Sequence, residues 1–412
     1  MGFSNRVMKS KKFGIGLAAL ILASVVAPAA HADLNVPTTS FPACTDATTS
    51  YCIQAVSVTD TSGKTTNLTY ASTGATTGIL GSWSDAAWGA AEQASSGYNG
   101  LFVSARAANQ YVSHIFVDAQ PVIANGGSAT LATQKNNAKY PVDLDPNTTI
   151  SVTIRTGGIK VGATIGVGIN ESVKTTYGSA YSTVQITGDP VPVALAGSTK
   201  DCTGQSGVAV ANANEFQAVI LVENDTYGFG VDSASGNMVV SSNGTCNLST
   251  PVWNADSKKL TWGTSAPYFG TDGKTANQGF YTAIIPFADV TAYWGLTRPQ
   301  DASSALTVSI STNQNGSQAA VADVSARNGV VVISATGFDF AAPILTIGLN
   351  TNYKPSTVSA PATTGSSKAP AATGTVAKSG KATLKTITCV KGKSTKSVTA
   401  ANPICPNGYT KK

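Results

Sequence analysis

The chain has 412 residues, carries a formal net charge of +6, and contains only 12% charged residues. It has two histidines, so few residues are available for imidazole-based catalysis or histidine-rich metal ligation. The low charged fraction and the 40 glycines are typical of exported all-β proteins.

The first 32 residues have the pattern of a secretory signal. A basic segment is followed by an apolar run from Ile15 to Val26, and Ala30-His31-Ala32 then supplies the small-x-small pattern that signal peptidase cleaves. We therefore expect residues 1–32 to be removed and the mature chain to begin at Asp33. No later apolar run reaches about 18 residues, so we expect no transmembrane segment after cleavage.

All six cysteines follow this cleavage site. An even number of cysteines in an exported chain indicates disulfides rather than metal ligation. Nearest-neighbour pairing is the simplest of several alternatives, and the spacings are not those of a zinc knuckle or a thioredoxin-type site. The predicted bridges are Cys44–Cys52, Cys202–Cys246 and Cys389–Cys405.

Short runs that alternate apolar and polar residues dominate the body of the chain. They are rich in β-branched residues and are separated by Gly, Asn, Asp or Ser turns, which indicates antiparallel sheets with one buried face. The clearest runs are 149–154, 163–169, 306–310 and 345–347. Helix signals are few, and we expect short helices only at 84–95 and 287–295.

A weak internal repeat divides this body into two halves. Gln54-Ala55-Val56 returns as Gln217-Ala218-Val219, and the separation between such copies drifts as loop insertions would make it. The tryptophans also recur, as Trp83 with Trp88 and as Trp253 with Trp262. We therefore predict an all-β fold of two tandem antiparallel β-sandwich domains, 33–197 and 198–352, of immunoglobulin-like or jelly-roll type.

Candidate catalytic groups are scarce in these halves. His114 lies in a strand pattern on the same side as Phe116, which favours a half-buried residue over a general base. Glu223 and Asp225 would point to one face at a strand end, as a glycosidase carboxylate pair does, but two acids at such a place are far more often a solvated strand end or turn, which we favour. No Gly-x-Ser-x-Gly or His-Glu-x-x-His motif occurs. A non-catalytic role is favoured, and no cofactor is expected.

Two binding interpretations compete with structural ones. Asp143, Asp145 and Asn147 place oxygen ligands at alternate positions, as hard cations prefer, but a turn with Asx capping accounts for the same residues. We therefore favour the turn and expect no bound metal.

The four recurring tryptophans would suit stacking on sugar rings if they were exposed. Their recurrence favours equivalent core positions instead.

The charge is divided between the body and the C-terminal segment. Residues 354–412 contain ten lysines and no acid, whereas residues 33–353 carry a net charge of −8. Residues 353–386 are rich in Pro, Ala, Thr and Lys, which predicts a disordered linker. Residues 387–412 should form a small β unit closed by Cys389–Cys405. Such a basic segment favours an anionic wall polymer or envelope surface as partner, and export argues against nucleic acid.

The terminal unit carries a recognisable pattern. It begins with Ile387-Thr388-Cys389-Val390-Lys391-Gly392-Lys393, continues with Lys396-Ser397-Val398-Thr399, and ends with Asn402-Pro403-Ile404-Cys405-Pro406-Asn407-Gly408-Tyr409-Thr410-Lys411-Lys412. This pattern resembles a short module at the C-terminus of many secreted actinobacterial proteins, although Ser394 and Ser397 stand where that module more often has basic residues. The resemblance implies an exported or surface-retained protein. The candidate attachment residues are Lys391, Lys393, Lys396, Lys411 and Lys412.

The sequence as a whole predicts a secreted protein, extracellular or associated with the cell wall. Its body is expected to have a structural or binding role, with wall or extracellular glycan as the first ligand class. Two alternatives remain open: a carbohydrate-active enzyme that uses the carboxylate pair, and a self-assembling surface-layer or fibre subunit. The ligand, strand order and oligomeric state do not follow from the sequence.

Overall fold

A computed structural model describes most of the chain between residues 40 and 354 and most of 385–412. It does not describe 79–80, 90–97, 108–113, 126–127, 132, 135–136, 142, 224–232, 234, 247–248, 313–315, 319–320, 342, 392–393 and 401–409. The predicted signal peptide and most of the predicted linker lie outside the described residues. The chain divides into two compact units, 1–355 and 356–412.

The first unit is built mainly of short strands. In its first half these are β1 (Tyr51–Thr59), β2 (Thr65–Asn67), β3 (Thr69–Gly78), β4 (Gly81–Gly89), β5 (Gly100–Ala107), β6 (His114–Asn125), β7 (Ser128–Leu131), β8 (Thr133–Gln134), β9 (Asn137–Pro141), β10 (Thr149–Thr156), β11 (Val161–Val167), β12 (Ile169–Thr176), β13 (Thr183–Asp189) and β14 (Val191–Leu195). The all-β prediction is confirmed for the described chain as a mostly β structure.

The second half continues this pattern and adds short helices. Its strands are β15 (Ala211–Glu215), β16 (Gln217–Val222), β17 (Val239–Ser242), β18 (Val252–Asn254), β19 (Lys259–Gly263), β20 (Gln278–Pro286), β21 (Leu306–Thr312), β22 (Gly316–Gln318), β23 (Val321–Arg327), β24 (Val330–Asp339) and β25 (Ile344–Leu349). The α-helices are α1 (Phe287–Trp294) and α2 (Ala302–Ala305), and 3₁₀ turns occupy Thr199–Cys202 and Pro299–Asp301. No helix in the described chain has the length and hydropathy needed to span a bilayer.

One eleven-stranded sheet runs through both halves. Its order is β23-β24-β20-β17-β11-β16-β6-β5-β4-β3, and β7 pairs with β6 beside this path. At its centre β11 pairs antiparallel with β16 and parallel with β17. Two five-stranded sheets, β12-β13-β10-β1-β2 and β18-β19-β25-β21-β22, supply the second layers. We call these the first and second small sheets. The pairs β14-β15 and β8-β9 complete the described strands of the unit.

Each small sheet shares a hydrophobic core with part of the large sheet. The first core joins Ile53 and Val152 of the first small sheet to Leu101 of the large sheet, and the second contains Trp262 and Tyr281. Strand β16 contributes side chains to both cores, because neighbouring residues on a strand point to opposite faces. Ile220 belongs to the first core and Leu221 to the second.

The arrangement as two tandem sandwiches is therefore not confirmed. Strand β16, from the second predicted domain, lies between β11 and β6 of the first, so one sheet crosses the boundary expected at 197/198. The sequence repeat does not mark equivalent strands either. Gln54-Ala55-Val56 lies in β1 of the first small sheet, whereas Gln217-Ala218-Val219 lies in β16 of the large sheet. Three-residue matches here reflect composition rather than equivalent positions.

The predicted helices had different outcomes. The helix expected at 287–295 is confirmed as α1, which ends at Trp294 and is followed by the cap residue Gly295 with a left-handed φ of 71°. The helix expected at 84–95 is wrong for residues 84–89, which belong to β4, and residues 90–95 lie outside the described chain. Strand β4 pairs with β3 and β5, and this pairing overrides the helix preference of an Ala-rich segment.

The second unit contains a three-stranded sheet. Strands β26 (Lys385–Lys391) and β27 (Ser394–Ala400) form an antiparallel hairpin, and β28 (Thr410–Lys411) pairs with the other edge of β26. The prediction of a small β hairpin or meander in this region is confirmed for these strands.

Candidate functional site

The structure contains two of the predicted disulfides, Cys44–Cys52 and Cys202–Cys246. The third predicted bridge involves Cys405, which lies outside the described residues. The Cys44–Cys52 loop is fixed by Arg155, whose Nη1 donates hydrogen bonds to the backbone oxygens of Asp46 at 2.8 Å and Thr49 at 3.1 Å. Charge-assisted bonds of this kind hold a loop in one geometry.

Two of the four tryptophans proposed for glycan stacking are buried in the core. Trp88 is 6% exposed and Trp262 is 2% exposed, so their ring faces are not available to a ligand. Trp253 is partly buried and stacks on Tyr293 with ring centroids 4.7 Å apart. The structure describes the backbone of Trp83 in β4 but not its side chain. The core interpretation therefore holds for Trp88 and Trp262, the two buried members of the set.

The candidate catalytic residues do not form a described carboxylate pair. Glu223 follows β16, and its carboxylate lies 4.0 Å from the ammonium of Lys160, with side-chain exposures of 25% and 75%. Asp225 lies outside the described residues. His114 opens β6 and packs edge-to-face on Phe116 with ring centroids 4.7 Å apart. This contact fits the strand packing expected for His114.

The residues proposed for calcium form a turn. Asp145 Oδ1 accepts hydrogen bonds from the backbone nitrogen of Asn147 at 2.9 Å and from Asn147 Nδ2 at 3.1 Å. This is the Asx capping that the turn interpretation required. Asp143 takes no part in these two hydrogen bonds, and burial raises the pKa of its carboxyl. Across the described chain, no three His, Cys, Asp or Glu side chains gather closely enough to hold a metal ion.

Asp143 belongs instead to an acidic cluster that the sequence analysis missed. Glu215 ends β15, and Gln217 Nε2 donates a hydrogen bond to its Oε2 at 2.8 Å. Burial, together with the negative charges of Asp118 and Asp143, raises the pKa of Glu215 to about 8. The three acids come from separate segments of the chain, so the local sequence does not predict that they lie near one another.

A second missed acid is Glu171, in β12. Its side chain is 1% exposed, and neither carboxyl oxygen has a hydrogen-bond partner among the described residues. Burial raises the pKa of this carboxyl well above its usual range. One sequence signal could have revealed it. Glu171 lies two residues before the buried Val173, so strand alternation places both on the inner face.

The described attachment lysines lie in the small second unit. Cys389 of β26 pairs with Lys396 of β27 on one side and with Lys411 of β28 on the other. Lys391 ends β26, Lys411 and Lys412 are exposed, and Lys393 lies outside the described residues. The strand pairing thus brings the backbones of lysines from three strands into a small area.

These features define a mostly β, disulfide-bonded protein with buried acidic groups in its body and a lysine-bearing terminal unit. Comparisons with protein-family models, with curated proteins and with solved structures found no match. Its function therefore has to be argued from its own residues.

Proposed function

We propose that the protein is exported and retained at the cell envelope, where the cationic C-terminal unit holds an acidic structural or binding body near an anionic surface. The observation that carries this proposal is the division of charge. Residues 354–412 contain ten lysines and no acid, against a net charge of −8 on residues 33–353. A concentrated positive segment attracts anionic polymers, whereas the body alone would be repelled by them.

The disulfides support the export part of the proposal. Disulfides persist in oxidising compartments such as the periplasm and the extracellular space and are rare in the reducing cytosol. Cys44–Cys52 and Cys202–Cys246 both belong to the body. The signal-like segment at 1–32 also supports export.

The outer face of the first small sheet supports a glycan as the body's ligand. The strand register aligns Ser57, Ser151, Thr187 and Ser172 in one row across β1, β10, β13 and β12. Ser151 Oγ is 3.0 Å from Thr187 Oγ1 and accepts a hydrogen bond from Gln185 Nε2 at 3.1 Å. A row of uncharged donors and acceptors matches the hydroxyl groups of a polysaccharide.

Cell fractionation tests retention. The unaltered protein should remain with the envelope and be released by salt, because salt screens exposed charges. Replacing Lys391, Lys393, Lys396, Lys411 and Lys412 together by Gln should move most of it to the medium. Replacing the same five by Arg keeps the charge and should leave retention unchanged. Equal retention of the Gln and Arg variants would contradict the electrostatic mechanism.

Co-sedimentation with purified cell walls tests the glycan ligand. High salt suppresses the contribution of the tail, so remaining binding reports on the body. Ser151→Ala with Thr187→Val should reduce this binding about tenfold, since hydrogen bonds at the centre of the face are lost. The matched control is Thr261→Val with Thr346→Val on the outer face of the second small sheet, where the residues are paired in the same way. An equal effect of the two double variants would refute the assignment.

A further inference from the structure

Glu171 lies in a β-bulge of β12 and points into the protein. In the pairing of β12 with β13, Ile169 lies opposite Asp189 and Ser172 opposite Thr187, so two residues of β12 face one residue of β13. Asn170 has a left-handed φ of 56°. A bulge interrupts the alternation of side chains along a strand. Here Glu171 follows the inward alternation of Val173, whereas Ile169, two residues earlier on β12, is exposed. β12 is an edge strand of the first small sheet.

The carboxyl fills a slot lined by glycines. A Cβ atom at Gly166 or Gly168 would overlap the Glu171 carboxyl, and one at Gly188 would overlap its Cγ. The aromatic ring of Phe216 borders the same slot beside Gly188. Since Gly166 belongs to β11, Glu171 connects the edge of a small sheet to the central strand of the large sheet. β12 also packs against β17 and β20.

Within the described part of the chain, the slot offers polar atoms but no counter-charge. Thr164 Oγ1 and Ser241 Oγ are buried and, like both oxygens of Glu171, make no hydrogen bond to any described residue. Ser241 pairs with Gly166 across the β11–β17 ladder, so it neighbours the strand position above which the carboxyl lies. A protonated carboxyl can donate to such a hydroxyl, whereas an ionised one at the same place would remain uncompensated.

The charged residues on the surrounding elements do not supply a positive partner. β17 and β20 carry no charged residue. Lys174 lies on β12 with an exposed side chain. The remaining charged residues on or beside β11, β13 and β16 are Lys160, which pairs with Glu223, and the acids Asp189, Glu215 and Glu223.

We propose that Glu171 is a proton-operated latch that holds β12 against the large sheet. In its protonated form the carboxyl packs in the glycine slot and β12 stays docked. When the proton is lost, the carboxylate leaves the slot for water, and β12 detaches with it. Detachment exposes the edge of β13 to solvent. This inference does not depend on the proposed function.

Hydrogen exchange of the full-length protein tests the latch. After correction for the intrinsic effect of pH on exchange, protection of residues 172–176 should fall about tenfold per pH unit between the ordinary glutamate pKa of 4.5, where the detached carboxyl ionises, and the raised pKa of the docked Glu171, because opening releases one proton in that range. Above the raised pKa the protection should no longer change with pH. In Glu171→Gln, which stays neutral, this protection should not change with pH. The matched control Glu215→Gln removes another acid whose pKa is strongly raised and should keep the wild-type response. Protection that does not depend on pH in the wild type, or an unchanged response in Glu171→Gln, would overturn the proposal.

A measurement that does not require the Glu171 variant to fold gives a second test. In the Glu215→Gln protein, the infrared carbonyl band of a protonated carboxyl should persist above the pH at which ordinary carboxyls ionise, which is about 4 to 5. It should disappear as the pH passes the raised pKa, at the upper end of the range over which residues 172–176 lose protection. Loss of the band without loss of protection would refute the latch.

Discussion

Replacing Glu215 by Gln should remove a pH-dependent loss of stability from the body. Burial and the charges of Asp118 and Asp143 raise the pKa of Glu215 from 4.5 to about 8. The unfolded chain therefore releases this proton at lower pH than the folded chain. The stabilising contribution is complete below pH 4.5, declines as the pH rises, and is lost once the pH passes the folded-state pKa of about 8. Gln keeps the shape of the side chain and an oxygen that Gln217 can donate to.

The size of the effect follows from the pKa difference. Each unit corresponds to about 1.4 kcal/mol, so a rise from 4.5 to about 8 sets an upper limit of about 5 kcal/mol on the destabilisation at alkaline pH. The free energy of unfolding of Glu215→Gln should therefore equal that of the wild type near pH 4 and exceed it increasingly up to about pH 8. Above that pH the difference should remain constant.

Urea unfolding of the full-length protein, followed by circular dichroism at a series of pH values, measures this difference. Glu223→Gln is the matched control. It removes a carboxylate of the same kind from a solvent-accessible pair with Lys160, and such pairs contribute about 0 to 1 kcal/mol. A difference between Glu215→Gln and wild type that stays constant from about pH 4 to about pH 9 would refute the reasoning.

Further predictions concern the disulfides and the second core. Replacing Cys202 and Cys246 by Ala should cost about 4 kcal/mol, against about 2.5 kcal/mol for Cys44 and Cys52, because the bridges close loops with sequence separations of 44 and 8 residues. Chemical denaturation would measure both, and a larger loss for the shorter loop would contradict the chain-entropy argument. Trp262→Ala should cost about 3 to 5 kcal/mol by leaving a cavity. Trp262→Phe should cost less than half of that, because the buried indole N–H makes no hydrogen bond that Phe would lose. Equal melting temperatures for the Ala and Phe variants would refute this prediction.

The local sequence pattern was sufficient to predict where strands form, but not which strands pair with one another. The alternating runs at 149–154 and 306–310 become β10 and β21, since period-two burial is a local property of the chain. The same kind of reasoning failed at 84–89, where a composition that suits a helix is paired into β4. It also placed β16 in a separate domain, although that strand pairs with β11 and β6.

The candidate site residues also divide into features that the local sequence could predict and features that it could not. The Asx turn at Asp145 could be predicted, because its hydrogen bonds join residues two positions apart. The acidic environment of Glu215 could not, because Asp118 and Asp143 reach it from other segments. Glu171 was recognisable as inward-facing from its spacing to Val173, but its lack of a partner depends on which strands pack above it.

The sequence by itself determined the mostly β character and the separation of positive from negative charge, because composition and short-range spacing are enough for each. The tertiary structure alone decided the strand order, the continuity of the large sheet across the two halves, and the burial of individual acids. These depend on contacts between residues far apart in the chain, and such contacts are selected by the packing of the whole molecule rather than by local preference.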